Sequence, residues 1–121
     1  GRNLQKWVAE KLSIMLGVPC GKDCEIQSRE MGQSGTDVRL SKAIQDRFAY
    51  SIECKSQETW NMLTWIEQAK NNTPNHHDWL LFVKKTGIEP IVVMDGDAFF
   101  RLISKIFKPA LIRRAKNDKE K

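Results

Sequence analysis

The chain has 121 residues, of which 40% are hydrophobic and 29% charged, and its net charge is +5. This length and balance predict one soluble domain with a single core, and every apolar run is far too short to span a bilayer. The charge suits a polyanionic partner. Three cysteines, an odd number, argue against a disulfide framework, and no secretory leader opens the chain, so we expect a cytoplasmic rather than a secreted protein.

The first half of the chain predicts one helix and then three strands. Apolar residues at helical spacing predict the helix over about 3–17, which Gly17 and Pro19 end. A glycine-containing loop at 31–35 and a polar stretch at 41–47, with room for a turn of helix, separate the strands. The three strand segments are 25–29, 37–40 and 48–56.

The second half predicts a helix, two strands and a last helix. The first of these helices, over about 59–72, carries an inward apolar stripe made by Met62, Trp65, Ile66 and Ala69. Strands over 79–85 and 89–94 flank a turn at Thr86-Gly87. Asp95 or Asp97 caps the last helix, 98–107. Its predicted inward residues are Phe99, Leu102, Ile103 and Ile106.

The predicted element order, αβββαββα, indicates an α/β fold with a mixed central sheet of about five strands flanked by helices. The 48–56 strand, the following helix and the 79–85 strand form a βαβ unit, so these strands should be parallel neighbours. The domain covers 1–107. The remaining 108–121 form a tail with six basic and two acidic residues, either a solvated end or an arm that tracks phosphates.

Three charged residues stand out on the predicted strands. Glu53 and Lys55 are two residues apart and therefore project from the same face, while Ile52 and Cys54 point to the other. If the strand that begins at Asp37 is a hairpin neighbour, its carboxylate joins them. Two carboxylates and an amine at one place suggest a metal-dependent phosphodiesterase. The alternative is a solvated strand face with cross-strand ion pairs.

These residues and the element order resemble the PD-(D/E)XK nuclease superfamily over about residues 1–105. Asp37 matches the first acidic position, and Glu53-Cys54-Lys55 matches the (D/E)-X-K element. The small Holliday junction resolvase-like and phage-encoded members are the most similar. They open with a helix like Gly1-Arg2-Asn3-Leu4-Gln5, carry a turn like Ser34-Gly35-Thr36, and place a Gln-Ala pair like Gln68-Ala69 on the crossover helix.

The resemblance implies a restriction-endonuclease-like core and a Mg²⁺- or Mn²⁺-dependent DNA endonuclease without an organic cofactor. Asp37, Glu53 and the Cys54 carbonyl would hold the metal, which prefers hard oxygen ligands. Lys55 would hold the attacking water or offset developing charge, and Gln68 would orient Lys55, the water or a phosphate. The substrate would be branched or duplex DNA, as in recombination in a bacterial or phage-infected cell.

Further residues could contact DNA or a second copy of the chain. A two-fold symmetric junction calls for a homodimer, and the helix carrying Phe99, Phe100, Ile103 and Phe107 is the candidate interface. Archaeal-type resolvases have a glutamate where Gln5 stands, which puts metal binding through the first helix in doubt. The candidate DNA contacts are Arg2, Gln5, Lys6, Ser34, Arg39, Lys84 and Lys85.

Several alternatives remain open. The same chemistry could act on DNA ends or on a specific site, and a DNA-binding module without turnover could keep the same fold. Cys20 and Cys24 with His76 and His77 have zinc-ligand types at loose spacing. Of the four tryptophans, Trp7 and Trp65 lie on inward stripes and are expected in the core, whereas the other two could stack on bases.

Overall fold

Helices cover both faces of a five-stranded sheet in the computed structural model of the chain, which describes residues 2–28 and 36–107. None of the described helices is both long and apolar enough to cross a membrane. The elements are α1 Arg2–Leu16, β1 Ile26–Ser28, β2 Val38–Leu40, α2 Lys42–Arg47, β3 Tyr50–Ser56, α3 Met62–Asn71, β4 Asp78–Lys84, β5 Ile91–Met94 and α4 over 96–107.

The sheet follows chain order, β1-β2-β3-β4-β5, so that β3 lies in its centre. The β1–β2, β2–β3 and β4–β5 pairs are antiparallel, and β3 and β4 run parallel because α3 crosses between them. The prediction of an α/β fold with a mixed five-stranded sheet and a βαβ unit is therefore confirmed.

Local capping residues explain where three helices begin or end. Gly17 has φ +70, and its N–H and that of Val18 both donate to the Ser13 carbonyl, which ends α1. Ser41 Oγ accepts the Ile44 N–H at the start of α2. Asp95 Oδ2 accepts the Ala98 N–H at 3.0 Å, so α4 begins at residue 96, two residues earlier than predicted. The polar stretch after β2 contains the short helix α2.

The core has two parts, one on each face of the sheet. Ile52 and Cys54 of β3 pack against α1, whose inward residues include Leu4, Val8 and Leu12. Leu81 and Val83 of β4 pack against Trp65 of α3 on the other face. Because side chains alternate along a strand, residues 51, 53 and 55 of β3 face α3.

Some predicted core residues lie at the surface instead. Trp7 is 36% exposed, because α1 buries only a narrow stripe made by Leu4, Val8, Ala9 and Leu12. The prediction was also wrong for Phe99, Leu102 and Ile106, all exposed, since α4 buries little beyond Ala98. The predicted loop at 31–35 and the tail at 108–121 lie outside the described residues.

Candidate active site

Asp37 and Glu53 lie opposite each other on neighbouring strands. Asp37 directly precedes β2, and Val38 pairs with Ile52, so the antiparallel register places Asp37 across from Glu53. The Asp37 N–H donates to the Ile52 carbonyl at 2.9 Å, which ties this residue to the centre of the sheet. Both side chains are on the α3 face, because Val38 and Ile52 belong to the α1 core.

Asp37 is fixed to the backbone of β3 by its side chain. The Cys54 N–H donates to Asp37 Oδ2 at 2.7 Å. Because β2 starts only at Val38, the carboxylate takes the place of a backbone partner for this N–H. In a strand the N–H and C=O of one residue point to the same edge, so the Cys54 carbonyl is directed toward the side where Asp37 lies. The Cys54 thiol faces the α1 core, as predicted.

The Cys54 thiol itself is not a metal ligand. Burial, together with the negative charge of Asp37, raises the pKa of this thiol far above its usual range. The sulfur is therefore protonated at neutral pH, and only a thiolate binds a metal strongly. What Cys54 can offer is its backbone carbonyl.

Glu53 is a buried carboxyl group with two hydrogen-bonding neighbours. Its residue exposure is 4% and that of Asp37 is 3%. Asn72 Nδ2 donates to Glu53 Oε1 at 2.7 Å, and the Glu53 and Asp37 carboxyl groups hydrogen-bond to each other. Burial raises the pKa of Glu53 to about 7, with a further contribution from Asp37, while Asn72 and the charge of Lys55 oppose the rise. Glu53 is therefore partly protonated near neutral pH.

Lys55 completes the cluster two residues further along β3. It is half-buried, and its charge acts on the Glu53 carboxyl. Asp37, Glu53 and Lys55 thus meet on one face, as the sequence predicted from the two-residue period. The alternative of a solvated strand face does not fit, because both carboxyl groups are almost fully buried.

Asn72 is the site residue that sequence reasoning missed. It caps the C-terminus of α3, and Ser51 Oγ donates to its carbonyl at 3.4 Å, which keeps the end of the helix over β3. Its position four residues after Gln68 could have indicated it, because residues four apart share a helix face. Gln68 lies one turn nearer the Lys55 end of β3, and its side chain is exposed.

The candidate DNA contacts lie in different places. Arg39 of β2 is exposed and shares the α3 face with Asp37, two residues away. Lys84 and Lys85 lie at the carboxyl end of β4 and line a cavity there. The remaining candidates are Gln5 and Lys6, on α1 and so on the opposite sheet face; Arg2, whose helix position alone is described; and Ser34, outside the described residues.

The carboxylate pair offers few protein groups to a metal ion. No group of three or more His, Cys, Asp or Glu side chains gathers within 2–28 and 36–107. Two carboxylates and a carbonyl suit Mg²⁺, which keeps several waters and is often bound by one or two carboxylates plus substrate phosphate. The zinc alternative was wrong: Cys20 and Cys24 precede β1, and His76 and His77 precede β4, without converging.

The arrangement can place a positive charge, two anionic oxygen groups and a backbone carbonyl around one point on the α3 face. Such a point suits a phosphate held by a divalent cation and by an ammonium group.

The three cysteines are free thiols. Comparisons of the chain with protein-family models, with curated proteins and with solved structures found no match.

Proposed function

We propose that the protein is a Mg²⁺- or Mn²⁺-dependent endonuclease that hydrolyses DNA phosphodiester bonds at Asp37, Glu53 and Lys55. The observation that carries this proposal is the hydrogen-bonded, buried pair of carboxyl groups with a lysine two residues along. Burying two acidic groups side by side costs stability, and such costs are typical of functional sites. The resemblance to PD-(D/E)XK nucleases supports the same interpretation.

Each residue has a distinct part in this proposal. Asp37, fixed by the Cys54 N–H, and Glu53, oriented by Asn72, present oxygen atoms to the cation, and the Cys54 carbonyl is the third protein group. The cation would supply charge stabilisation at the phosphate and a more acidic water. Lys55 donates to a phosphate oxygen or holds the attacking water. Gln68, exposed on α3 one turn before Asn72, would orient Lys55, the water or a phosphate.

The substrate that we propose is branched or duplex DNA, met in a reducing cytoplasm. A net charge of +5 favours a polyanion, and Arg39 on the α3 face with Lys84 and Lys85 at the end of β4 would track phosphates. Nuclease action on DNA ends or on a specific site uses the same residues, so these alternatives differ only in how the DNA is presented.

Cleavage assays test the proposal. Labelled four-way junction, continuous duplex and single-stranded DNA are incubated with the full chain and Mg²⁺, Mn²⁺ or EDTA. We expect metal-dependent cutting of at least one substrate, with the junction preferred, and none in EDTA. If no substrate is cut although DNA is bound, the protein is a binding module. A strict requirement for free ends would favour end processing.

We also propose a homodimer that uses the outer face of α4. Phe100 is 69% exposed, and Phe99, Ile106 and Phe107 are also exposed on this helix. β5, next to it, is an edge strand with exposed Ile91 and Val92, and patches of this kind mark contacts with other proteins. Two protomers would also supply the two cuts that a junction needs.

The mass of the particle in solution checks the dimer. Light scattering after size exclusion should give twice the protomer mass of 14.0 kDa. Phe100→Glu should shift the particle to the monomer, because a buried unpaired carboxylate opposes association. Leu63→Glu, at an exposed position on α3, is the matched control and should stay dimeric. A wild-type monomer at micromolar concentration would exclude this interface.

Asn72 should act as a positioning residue for Glu53. Asn72→Ala removes the donor at Glu53 Oε1, and we expect the affinity for Mn²⁺ to fall by about tenfold, as is usual for partners of metal ligands. Calorimetric titration of Mn²⁺ measures this effect, and Asn71→Ala is the adjacent control. A role in the fold alone would instead lower thermal stability and leave Mn²⁺ affinity unchanged.

A further inference from the structure

We propose that the cavity lined by Lys84 and Lys85, at the carboxyl ends of β3 and β4, binds an unpaired nucleobase of the DNA strand held at the carboxylate site. This inference rests on the proposed function and deepens it, because it names the class of DNA that the protein prefers. The cavity measures about 430 Å³, within the range of small-molecule sites. Its walls come from the start of α1, the end of β3 and the turn after β4.

The cavity lies beyond the carboxyl end of β3 on the α1 face of the sheet, whereas the carboxylate site lies on the α3 face. Ser56 lines it and directly follows Lys55, and alternation points Lys55 to the α3 face and Ser56 to the α1 face. Ser56 is three positions after Glu53, which is about 10 Å of strand. A stacked DNA strand advances about 3.4 Å per nucleotide, so this step along β3 corresponds to about three nucleotides. The DNA strand would also pass round the carboxyl end of β3, from the α3 face to the α1 face.

The lining has the chemistry of a base site. The Trp7 side chain and Pro90 give apolar surfaces, and Trp7 is exposed although it lies on the apolar stripe of α1. Aromatic side chains of this kind stack on bases of any sequence. Asn3, Ser56 and Thr86 also line the cavity and offer side-chain donors and acceptors to a base edge.

The charges of the cavity favour a neutral ring over a bare phosphate. Lys84 and Lys85 are matched by Glu58 and Glu89 in the same lining. The Lys84 ammonium group donates to the Ile88 carbonyl at 3.1 Å, and Glu58 Oε2 accepts the Thr86 N–H at 2.9 Å. The base would therefore enter between balanced charges, while its sugar and phosphate remain at the rim.

A base inside the cavity cannot be paired in a continuous duplex. Substrates with an unpaired nucleotide near the cut, such as single strands, flaps and open junctions, would supply it without the cost of unstacking a pair. The protein should accordingly bind unpaired DNA more tightly than a fully paired duplex of the same sequence.

Fluorescent oligonucleotides test this inference with the full chain. A single strand carrying 2-aminopurine and the same strand in a continuous duplex are titrated with Ca²⁺ in place of Mg²⁺, so that binding is read without cleavage. We expect quenching of the unpaired probe by stacking on Trp7, and affinity about tenfold above that of the duplex. Equal affinity for the two probes would overturn the inference.

Two variants and one control sharpen the result. Trp7→Ala removes the stacking surface, and Ser56→Leu fills part of the cavity from an exposed position without adding a ring, so the second decides if the first does not fold. Both should lose the preference for the unpaired probe, whereas Ile14→Ala, at an exposed site elsewhere on α1, should keep it. If the folded variants keep the preference for the unpaired probe, the base site is refuted and the proposed nuclease function is not affected. If the wild type binds the unpaired probe more tightly but cuts no substrate, the nuclease function is refuted and the base site is not.

Discussion

Asp37→Asn should abolish metal-dependent DNA cleavage while leaving DNA affinity within about twofold of the wild type. The amide oxygen of asparagine can still accept the Cys54 N–H, so the start of β2 should keep its place. The negative charge that the cation needs is lost, however, and a loss of several kcal/mol at the transition state reduces the rate by about 10³-fold or more. Single-turnover cleavage and a binding titration in Ca²⁺ measure the two quantities separately.

Asp46→Asn is the matched control for this substitution. Asp46 is exposed on α2, where it forms a 4.0 Å ion pair with Lys42, and such pairs contribute little to stability. The control should cleave at the wild-type rate. An Asp37→Asn protein that cuts as fast as this control would show that the carboxylate pair is not the catalytic site.

Lys55→Ala tests the third member in the same assay. We expect the cleavage rate to fall by about 10²-fold or more, the usual effect of removing a group that transfers a proton or offsets charge. Lys70→Ala, at an exposed position on α3, controls for the loss of one positive charge. A normal rate for Lys55→Ala would leave only the two carboxylates in the site.

The sequence specified the centre of the site because strand geometry is local. A two-residue period decides that Glu53 and Lys55 share a face, and the short distance between Asp37 and β3 along the chain favours a hairpin-like antiparallel pair. The crossover rule then made β3 and β4 parallel neighbours, which puts β3 at the centre of the sheet. These steps need no knowledge of side-chain packing.

Features set by contacts between distant segments could not be predicted in this way. Asn72 reaches Glu53 only because the C-terminus of α3 settles over β3, and the helical period does not fix that position along the strand. The apolar stripes of α1 and α4 are wider than the surface they cover, so periodicity alone could not tell that Trp7 and Phe99 would remain exposed. The hydrogen bond between two carboxyl groups likewise depends on their depth of burial.

Glu53→Gln should make the metal-free protein more stable at pH 8. Glu53 has its pKa raised from 4.5 to about 7 in the folded chain, so the folded state holds a proton that the unfolded state has lost between these values. The contribution of protonated Glu53 to the free energy of unfolding is fully present below pH 4.5, and it is lost as the pH rises to about 7. Because solvent screens part of this cost, the loss is on the order of 1–2 kcal/mol. Glutamine is neutral at every pH and avoids it.

The difference in unfolding free energy between Glu53→Gln and wild type should therefore be near zero at pH 4.5 and on the order of 1–2 kcal/mol at pH 8. Urea denaturation in EDTA at both pH values measures it. Asn72 can still donate to the side-chain carbonyl oxygen of the introduced glutamine, and the glutamine amide can donate to Asp37, so no buried group loses its partner. Glu67→Gln, exposed on α3, should show no such pH dependence.

Addition of Mn²⁺ should reverse the order of stability at pH 8. A ligand that binds only the folded state stabilises it, and the wild type has both carboxylates to offer the cation. The variant keeps Asp37 alone and should gain much less. Because Glu53 must release its proton before it binds, the wild-type Mn²⁺ affinity should also fall as the pH drops below 7. A variant that is no more stable than wild type in EDTA would mean that Glu53 is ionised in the fold without cost and that its pKa is not raised.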